Sequence, residues 1–293
     1  MTRLLQYALT GLSAGSLYAL VALGIVLIYR STRVLNFAHG AVATFGTFVA
    51  FGLLTSGAPF AVAFPLALLA GALVAVAFYF VVLVPAQRQG ATLLSQVILT
   101  LGLALIFEGV IVYRWGAEPD RLPFPLSDTR TWRLGPLFVS ELSVGTLTVG
   151  LVAGALLYVL VQRTRLGLAM RAVSENLTAA QTLGIPTRRI LGTSWAVASA
   201  LGVLAGIFLA PALLLDPFFM LDPFLKGFAA AVLGGLNSLP GAVLGGVILG
   251  LAESLAGAYL TIQFKNTLAF LVIIVVLLIR PDGLLGRAFK ERV

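Results

Sequence analysis

The sequence predicts an all-α, polytopic transmembrane helical bundle of about eight to ten segments, some of them broken or half-length. Three observations carry that prediction. Hydrophobic residues fill 60% of the 293 positions, charged residues only 10%, and the mean hydropathy is +1.05. A soluble domain carries roughly 25% charge, because its surface needs polar cover. Uncharged stretches long enough to cross a hydrocarbon core recur along the whole chain. Lipid offers backbone amides no hydrogen-bond partner, so helices are the form such stretches take.

In chain order, Leu4 to Ile28 is uncharged, rich in Leu, Ala and Gly, and reads as the first span. One Arg precedes it and nothing after it resembles a cleavage site, so it is expected to be retained. Val34 to Gln87 carries no charge apart from the neutral form of His39 and is too long for one helix. The turn residues Ser56-Gly57-Ala58-Pro59 divide it. Leu93 to Tyr113 follows, with Glu108 inside it. Leu142 to Gln162 and Ile190 to Leu215 are two further spans. Phe224 to Leu260 is broken at Asn237-Ser238-Leu239-Pro240-Gly241, and Asn266 to Ile279 completes the set. One membrane domain, residues 1–293, holds all of these.

Glycine is abundant, at 31 residues, and much of it falls in small-xxx-small pairs. Gly11 and Gly15, Gly202 and Gly206, Gly241 and Gly245, and Gly246 and Gly250 are spaced for close backbone packing between helices. Gly234-Gly235 and Pro240-Gly241 are expected to interrupt their helix instead. Unwound backbone at membrane depth survives only inside protein or beside water, and broken helices of this kind line transport sites.

Lysines and arginines outnumber acids 19 to 11, giving a net charge of +8. In a membrane protein that excess marks cytoplasmic loops rather than a nucleic-acid surface. Arg163, Arg165, Arg171, Arg188 and Arg189 crowd one loop, and Arg280, Arg287, Lys290 and Arg292 crowd the tail at 280–293. The Arg114–Glu141 segment is balanced by its own acids. The charges place the N-terminus outside, the 163–189 loop inside and the C-terminus inside. Cys is absent and His occurs once, which excludes thiolate and multi-histidine metal sites. No GxxxxGK[ST] phosphate loop is present, so the chain carries no ATP site of its own.

The 163–189 loop contains a short segment with start and stop signals. Ser174 is placed to cap it, Glu175 suits the positive end of the helix dipole, and Gly184 with Pro186 ends it. Met170, Val173, Leu177, Ala180 and Gly184 form one apolar stripe, with Arg171, Glu175 and Asn176 on the other face. Such a segment either lies on the lipid surface or docks into a groove on a cytoplasmic partner.

Ala179-Ala180-Gln181-Thr182-Leu183-Gly184 resembles the Ala-Ala-x-x-x-Gly core by which ABC-importer permeases engage their ATPase. Thr178 stands where Glu is common, and Ser194 to Val197 lacks the apolar and Pro residues of the general motif. Met170-Arg171-Ala172-Val173-Ser174-Glu175-Asn176 through Leu183-Gly184-Ile185 instead resembles the divergent permeases for branched-chain amino acids, of the Liv H type. Further elements agree: Gly15-Ser16-Leu17-Tyr18-Ala19-Leu20, Leu35-Asn36-Phe37-Ala38-His39-Gly40, Val232-Leu233-Gly234-Gly235, Ser238-Leu239-Pro240-Gly241-Ala242 and Arg280-Pro281-Asp282-Gly283-Leu284. Asn237 stands where that family usually has Gly.

This resemblance implies a bacterial inner-membrane subunit without catalysis, moving branched-chain or other hydrophobic amino acids by alternating access. It implies a second permease of the M type, two cytoplasmic ATPases holding ATP and Mg, and a periplasmic binding protein. Arg171, Glu175, Asn176, Ala179, Ala180 and Gly184 would form the coupling helix. Asn36, His39, Gln96, Asn237 and Glu253 are pathway candidates, beside Thr44, Thr47 and Ser95. The spelling around Phe37 favours amino acids over urea or short amides.

The rival from the residues themselves is a proton-coupled carrier using Glu108, Glu253 and His39. A charge at membrane depth costs at least about 2.5 kcal/mol, so each must face protein or water. Arg114 is placed to neutralise Glu108, and Glu253 to meet Lys265 or the pathway. His39 is expected near the cytoplasmic end as a structural hydrogen-bonding group. A passive channel ranks below both, because no ring of charge or carbonyl filter is evident.

Overall fold

The computed structural model describes residues 2–135, 137–259, 264–280 and 282–286, and its helices follow the apolar stretches. They are α1 Thr2–Thr32, α2 His39–Thr55, α3 Phe60–Arg88, α4 Leu93–Trp115 and α5 Glu141–Arg163. Two short helices follow, α6 Arg165–Glu175 and α7 Leu177–Thr182. The remainder are α8 Thr187–Leu209, α9 Leu221–Gly234, α10 Leu239–Tyr259 and α11 Phe264–Ile279. Six of them, α1, α3, α4, α5, α8 and α10, are long and apolar enough to cross a membrane. α2, α9 and α11 are shorter, at 17, 14 and 16 residues. The expected all-α membrane fold with half-length segments is what forms. A small hairpin, β1 Thr131–Leu134 against β2 Leu137–Ser140, precedes α5.

The chain divides into two compact units. The first comprises Met1–Val26, Leu126–Leu151 and Asp222–Val293; the second comprises Leu27–Pro125 and Val152–Leu221.

In the first unit the glycine pairs of α1 and α10 pack on each other. A Cβ on Gly11 would lie 2.8 Å from the Gly250 oxygen, and one on Gly15 would lie 2.8 Å from the Gly246 oxygen. Without hydrophobic drive between helices in lipid, this close backbone approach is what brings them together. Ser254 Oγ donates to the Tyr7 carbonyl at 2.7 Å along the same seam.

α9 and α10 form a helical hairpin, with the break expected at Gly234-Gly235 present. Its turn lies at Gly235–Ser238, with Gly235 at φ +104° and its N–H on the Ala231 and Val232 carbonyls. Pro240-Gly241 does not interrupt a helix. It occupies the first turn of α10, where a proline needs no N–H partner, and Ser238 Oγ accepts the Gly241 N–H at 3.1 Å. Gly241 and Gly245 meet the Gly234 and Ala230 carbonyls, so a side chain at either would strike backbone. Leu284 and Leu285 donate to the Leu233 and Gly234 carbonyls at 2.8 and 3.0 Å, closing the C-terminal end of α9. Pro281 and positions 287–293 of the basic tail lie outside the described residues.

In the second unit α2, α3 and α8 pack together. The Val203 side chain is held between Gly46 of α2 and Gly71 of α3; a Cβ on either would come within 2.4 Å of it. Trp195, fully buried, stacks on Tyr79 at 6.2 Å between ring centroids. Tyr79 opens a five-residue π-helical stretch, Tyr79–Leu83, inside α3. α2 begins at His39 rather than at Val34. Arg33 takes φ +61°, and Asn36 Oδ1 accepts the Ala38 N–H at 3.1 Å. Such an Asx turn competes with helix and moves the start inward. Thr100 Oγ1 of α4 accepts the Phe37 N–H at 3.1 Å, so this unwound backbone is satisfied inside protein.

Candidate functional site

The 163–189 segment builds two short helices where one was expected. α6 starts at a cap on Thr164, whose hydroxyl accepts the Gly167 N–H at 3.0 Å. α6 ends at Glu175, and Asn176 adopts extended backbone, φ −152° and ψ 105°. Asn176 Oδ1 then accepts the Ala179 N–H at 2.9 Å and starts α7. The capping role expected of Ser174 therefore belongs to Asn176. Ser174 lies inside α6 and its hydroxyl returns to the Met170 carbonyl at 2.8 Å. A serine inside a helix bonds back to its own turn, which leaves the cap to Asn176, and the three-residue spacing from Asn176 to Ala179 was the signal.

Gly184 ends α7 as predicted. Its φ is +78°, its N–H bonds the Gln181 carbonyl, and the Ile185 N–H bonds the Ala180 carbonyl. This is the left-handed C-terminal turn that favours glycine. Pro186 then precedes α8.

The expected stripe is split by the kink. Met170, Val173 and Ala180 are buried, whereas Leu177 is 45% and Leu183 79% exposed. Arg171 donates to Gln162 Oε1 of α5, tying the segment back to the preceding span. Glu175, Asn176, Ala179 and Gly184 are exposed. The result is a fixed platform presenting Leu177, Ala179 and Leu183 outward.

The pathway candidates fall in both units. Asn36, His39 and Gln96 belong to the second. Asn36 is spent on its turn, and Gln96 is spent too: Oε1 accepts from Gln87 at 2.8 Å and Nε2 donates to the Ala91 carbonyl at 3.2 Å. Thr44 and Thr47 bond back to the Gly40 and Ala43 carbonyls of their own helix. His39 is 1% exposed and neither ring nitrogen has a hydrogen-bond partner among the described residues. It is the first residue of α2 and lies against Gly202, roughly two-thirds of the way along α8.

Asn237 and Glu253 belong to the first unit. Asn237 sits in the α9–α10 turn. Glu253 meets Lys226: Lys226 Nζ lies 2.9 Å from Glu253 Oε1 and 2.8 Å from Asp222 Oδ2. The Lys265 side chain lies outside the described residues. Sequence reading missed Lys226, although its spacing from Asp222 puts the two one turn apart on α9. Arg114 lies over the Trp115 ring rather than beside Glu108.

Residues 7–278 match the family described as branched-chain amino acid transport system, permease component. The chain is 32% identical to the high-affinity branched-chain amino acid transport system permease protein LivH of Escherichia coli K12, over 99% of this chain and 97% of that one. It is 33% identical to the probable branched-chain amino acid transport permease protein LivH of Methanocaldococcus jannaschii, over 94% and 90%. Among solved structures, PsaBC from Streptococcus pneumoniae in complex with Fab shares the fold, with a TM-score of 0.53 at 13% identity over 94% and 91%. A helical membrane chain with glycine-sealed seams, a hairpin of half-length α9 and an exposed short-helix platform, matched along nearly its whole length, belongs to the branched-chain amino acid transport permease family.

Proposed function

We propose that this chain is the transmembrane permease subunit of an ABC importer. It moves branched-chain or other hydrophobic amino acids into the cytoplasm by alternating access, with ATP and Mg bound and hydrolysed in separate subunits. The observation that carries this reading is the α6–α7 platform. Its two ends are fixed by Thr164 and Gly184, Asn176 caps α7 between them, it is anchored through Arg171 to Gln162, and its outward face is bare. A short rigid element between two spans transmits displacement where a flexible loop would absorb it. Leu177 and Leu183 supply the apolar contact that a groove on an ATPase would bury.

The partners on this reading are an M-type permease, two cytoplasmic ATPases and a periplasmic binding protein. The chain sits in a bacterial inner membrane with its N-terminus outside and its C-terminus inside. Among the pathway candidates, His39 and Glu253 keep unused hydrogen-bonding atoms, whereas Asn36 and Gln96 hold backbone in place.

The test is purification of the tagged chain from native membranes in mild detergent, with mass spectrometry of what accompanies it, then uptake in proteoliposomes. An ATPase and a second permease in the eluate, with ATP-driven leucine uptake, support the reading. A chain that purifies alone and takes up solute on a proton gradient overturns it.

A further inference from the structure

The first unit contains a buried ion cluster that a merely structural bridge does not explain. Lys226 is 5% exposed and Glu253 8%, and their charged groups stand 2.9 Å apart. Asp222, 2.8 Å from the same ammonium, has a side chain 50% exposed, so the cluster reaches the surface on that side. One ammonium therefore serves two carboxylates. Glu253 Oε2 is buried and makes no hydrogen bond of good geometry among the described residues, although the Tyr18 hydroxyl of α1 stands beside the carboxylate and the Tyr18 ring lies 5.7 Å from Lys226 Nζ. Leaving a carboxylate oxygen unpaired in a low-dielectric interior is costly, and a bridge built only for stability would satisfy it.

The surroundings point to what takes that oxygen. Asp222 and Lys226 stand in the first turns of α9, a helix of 14 residues that is too short to span. The positive end of a half-length helix favours an anionic group, and the unpaired Glu253 oxygen favours a cationic one. The site thus offers an anion position and a cation position side by side. In the orientation proposed above it opens outward, where a binding protein releases its cargo.

We propose that Lys226 and Glu253 are the recognition site for the zwitterionic head of an α-amino acid. The substrate carboxylate takes the Lys226 ammonium and the start of α9. Its ammonium takes Glu253 Oε2, while Asp222 stays on the Lys226 ammonium. The native ion pair occupies the empty site and is exchanged for the substrate's own charges. This proposal rests on the importer reading and narrows its substrate class, since neutral urea or amides have no use for such a pair.

The experiment measures leucine taken up per ATP hydrolysed by the whole importer in proteoliposomes. It uses the wild type, Glu253→Gln, Lys226→Met and the charge-reversed double variant Lys226→Glu with Glu253→Lys. Both single variants are expected to lower the ratio about tenfold or more, the effect of one lost charged hydrogen bond. The double variant is expected to melt like the wild type yet keep the low ratio, because the reversed charges no longer fit a side chain held in one direction. A double variant that restores the ratio as well as the melting temperature overturns the site and leaves a structural bridge. So does a Glu253→Gln importer with a normal ratio. Wild-type proteoliposomes that hydrolyse ATP without taking up leucine overturn the importer reading itself.

Discussion

A Cβ built on Gly250 of α10 would stand 2.4 Å from the Cα of Gly15 of α1. The two helices touch backbone to backbone there, and the contact repeats at Gly246 against Ala19 and at Gly11 against Gly250. A side chain on this seam must push one helix off the other.

Gly250→Val is therefore expected to destabilise the chain by about 1–3 kcal/mol, the usual cost of overpacking a tight contact. Gly102→Val is the control, because a Cβ at Gly102 meets nothing within 4 Å. Thermal melting of the two variants in detergent checks this. An equal midpoint for both would show that the α1–α10 seam yields freely.

Gly184→Val places a β-branched residue at φ +78°. Left-handed backbone costs an L residue about 1–2 kcal/mol, so the turn after α7 is expected to reorganise. Expression should be normal while ATP-driven uptake falls against ATP hydrolysis. Ordinary uptake per ATP in this variant would remove the turn from the coupling mechanism.

Asn176→Ala removes the cap of α7, worth about 1 kcal/mol, whereas Ser174→Ala removes only a bond back within α6. Hydrogen exchange across the α7 peptide should quicken about fivefold in the first variant and hardly change in the second. The reverse order would return the cap to Ser174.

Thr100→Val keeps shape and removes the acceptor for the Phe37 N–H. Loss of one partner at a buried site costs about 1–3 kcal/mol, and the midpoint should fall accordingly. Thr148→Val, whose hydroxyl only returns to its own helix at Val144, is the comparison expected to change little. Matching midpoints would mean that the 33–38 stretch finds another acceptor.

Much of this architecture was legible in the residues because lipid enforces it. The spans read directly from uncharged length, the turn at Ser56–Pro59 from its residue types, and the glycine seams from their four-residue spacing. Gly184 was legible because only one local conformation explains a glycine between an apolar stripe and Pro186. What escaped depended on partners distant in sequence. Lys226 reads as a local partner of Asp222 until α10 brings Glu253 beside it. The unwound stretch before His39 has no glycine or proline to announce it, and it persists because Thr100 of another helix takes its amide. The split at Asn176 was hidden by a stripe whose period continues across the kink while its burial does not.

The closure of α9 by Leu284 and Leu285 sets an order of events during biosynthesis. The Leu233 and Gly234 carbonyls are translated about fifty residues before the amides that complete them, so the helix enters the membrane with that end open. Until the later segment arrives, those carbonyls must be served by water or by the insertion machinery. The hairpin is thus a late-maturing part of the protein, and a ribosome stalled between the two points would hold a nascent chain whose α9 has no lid.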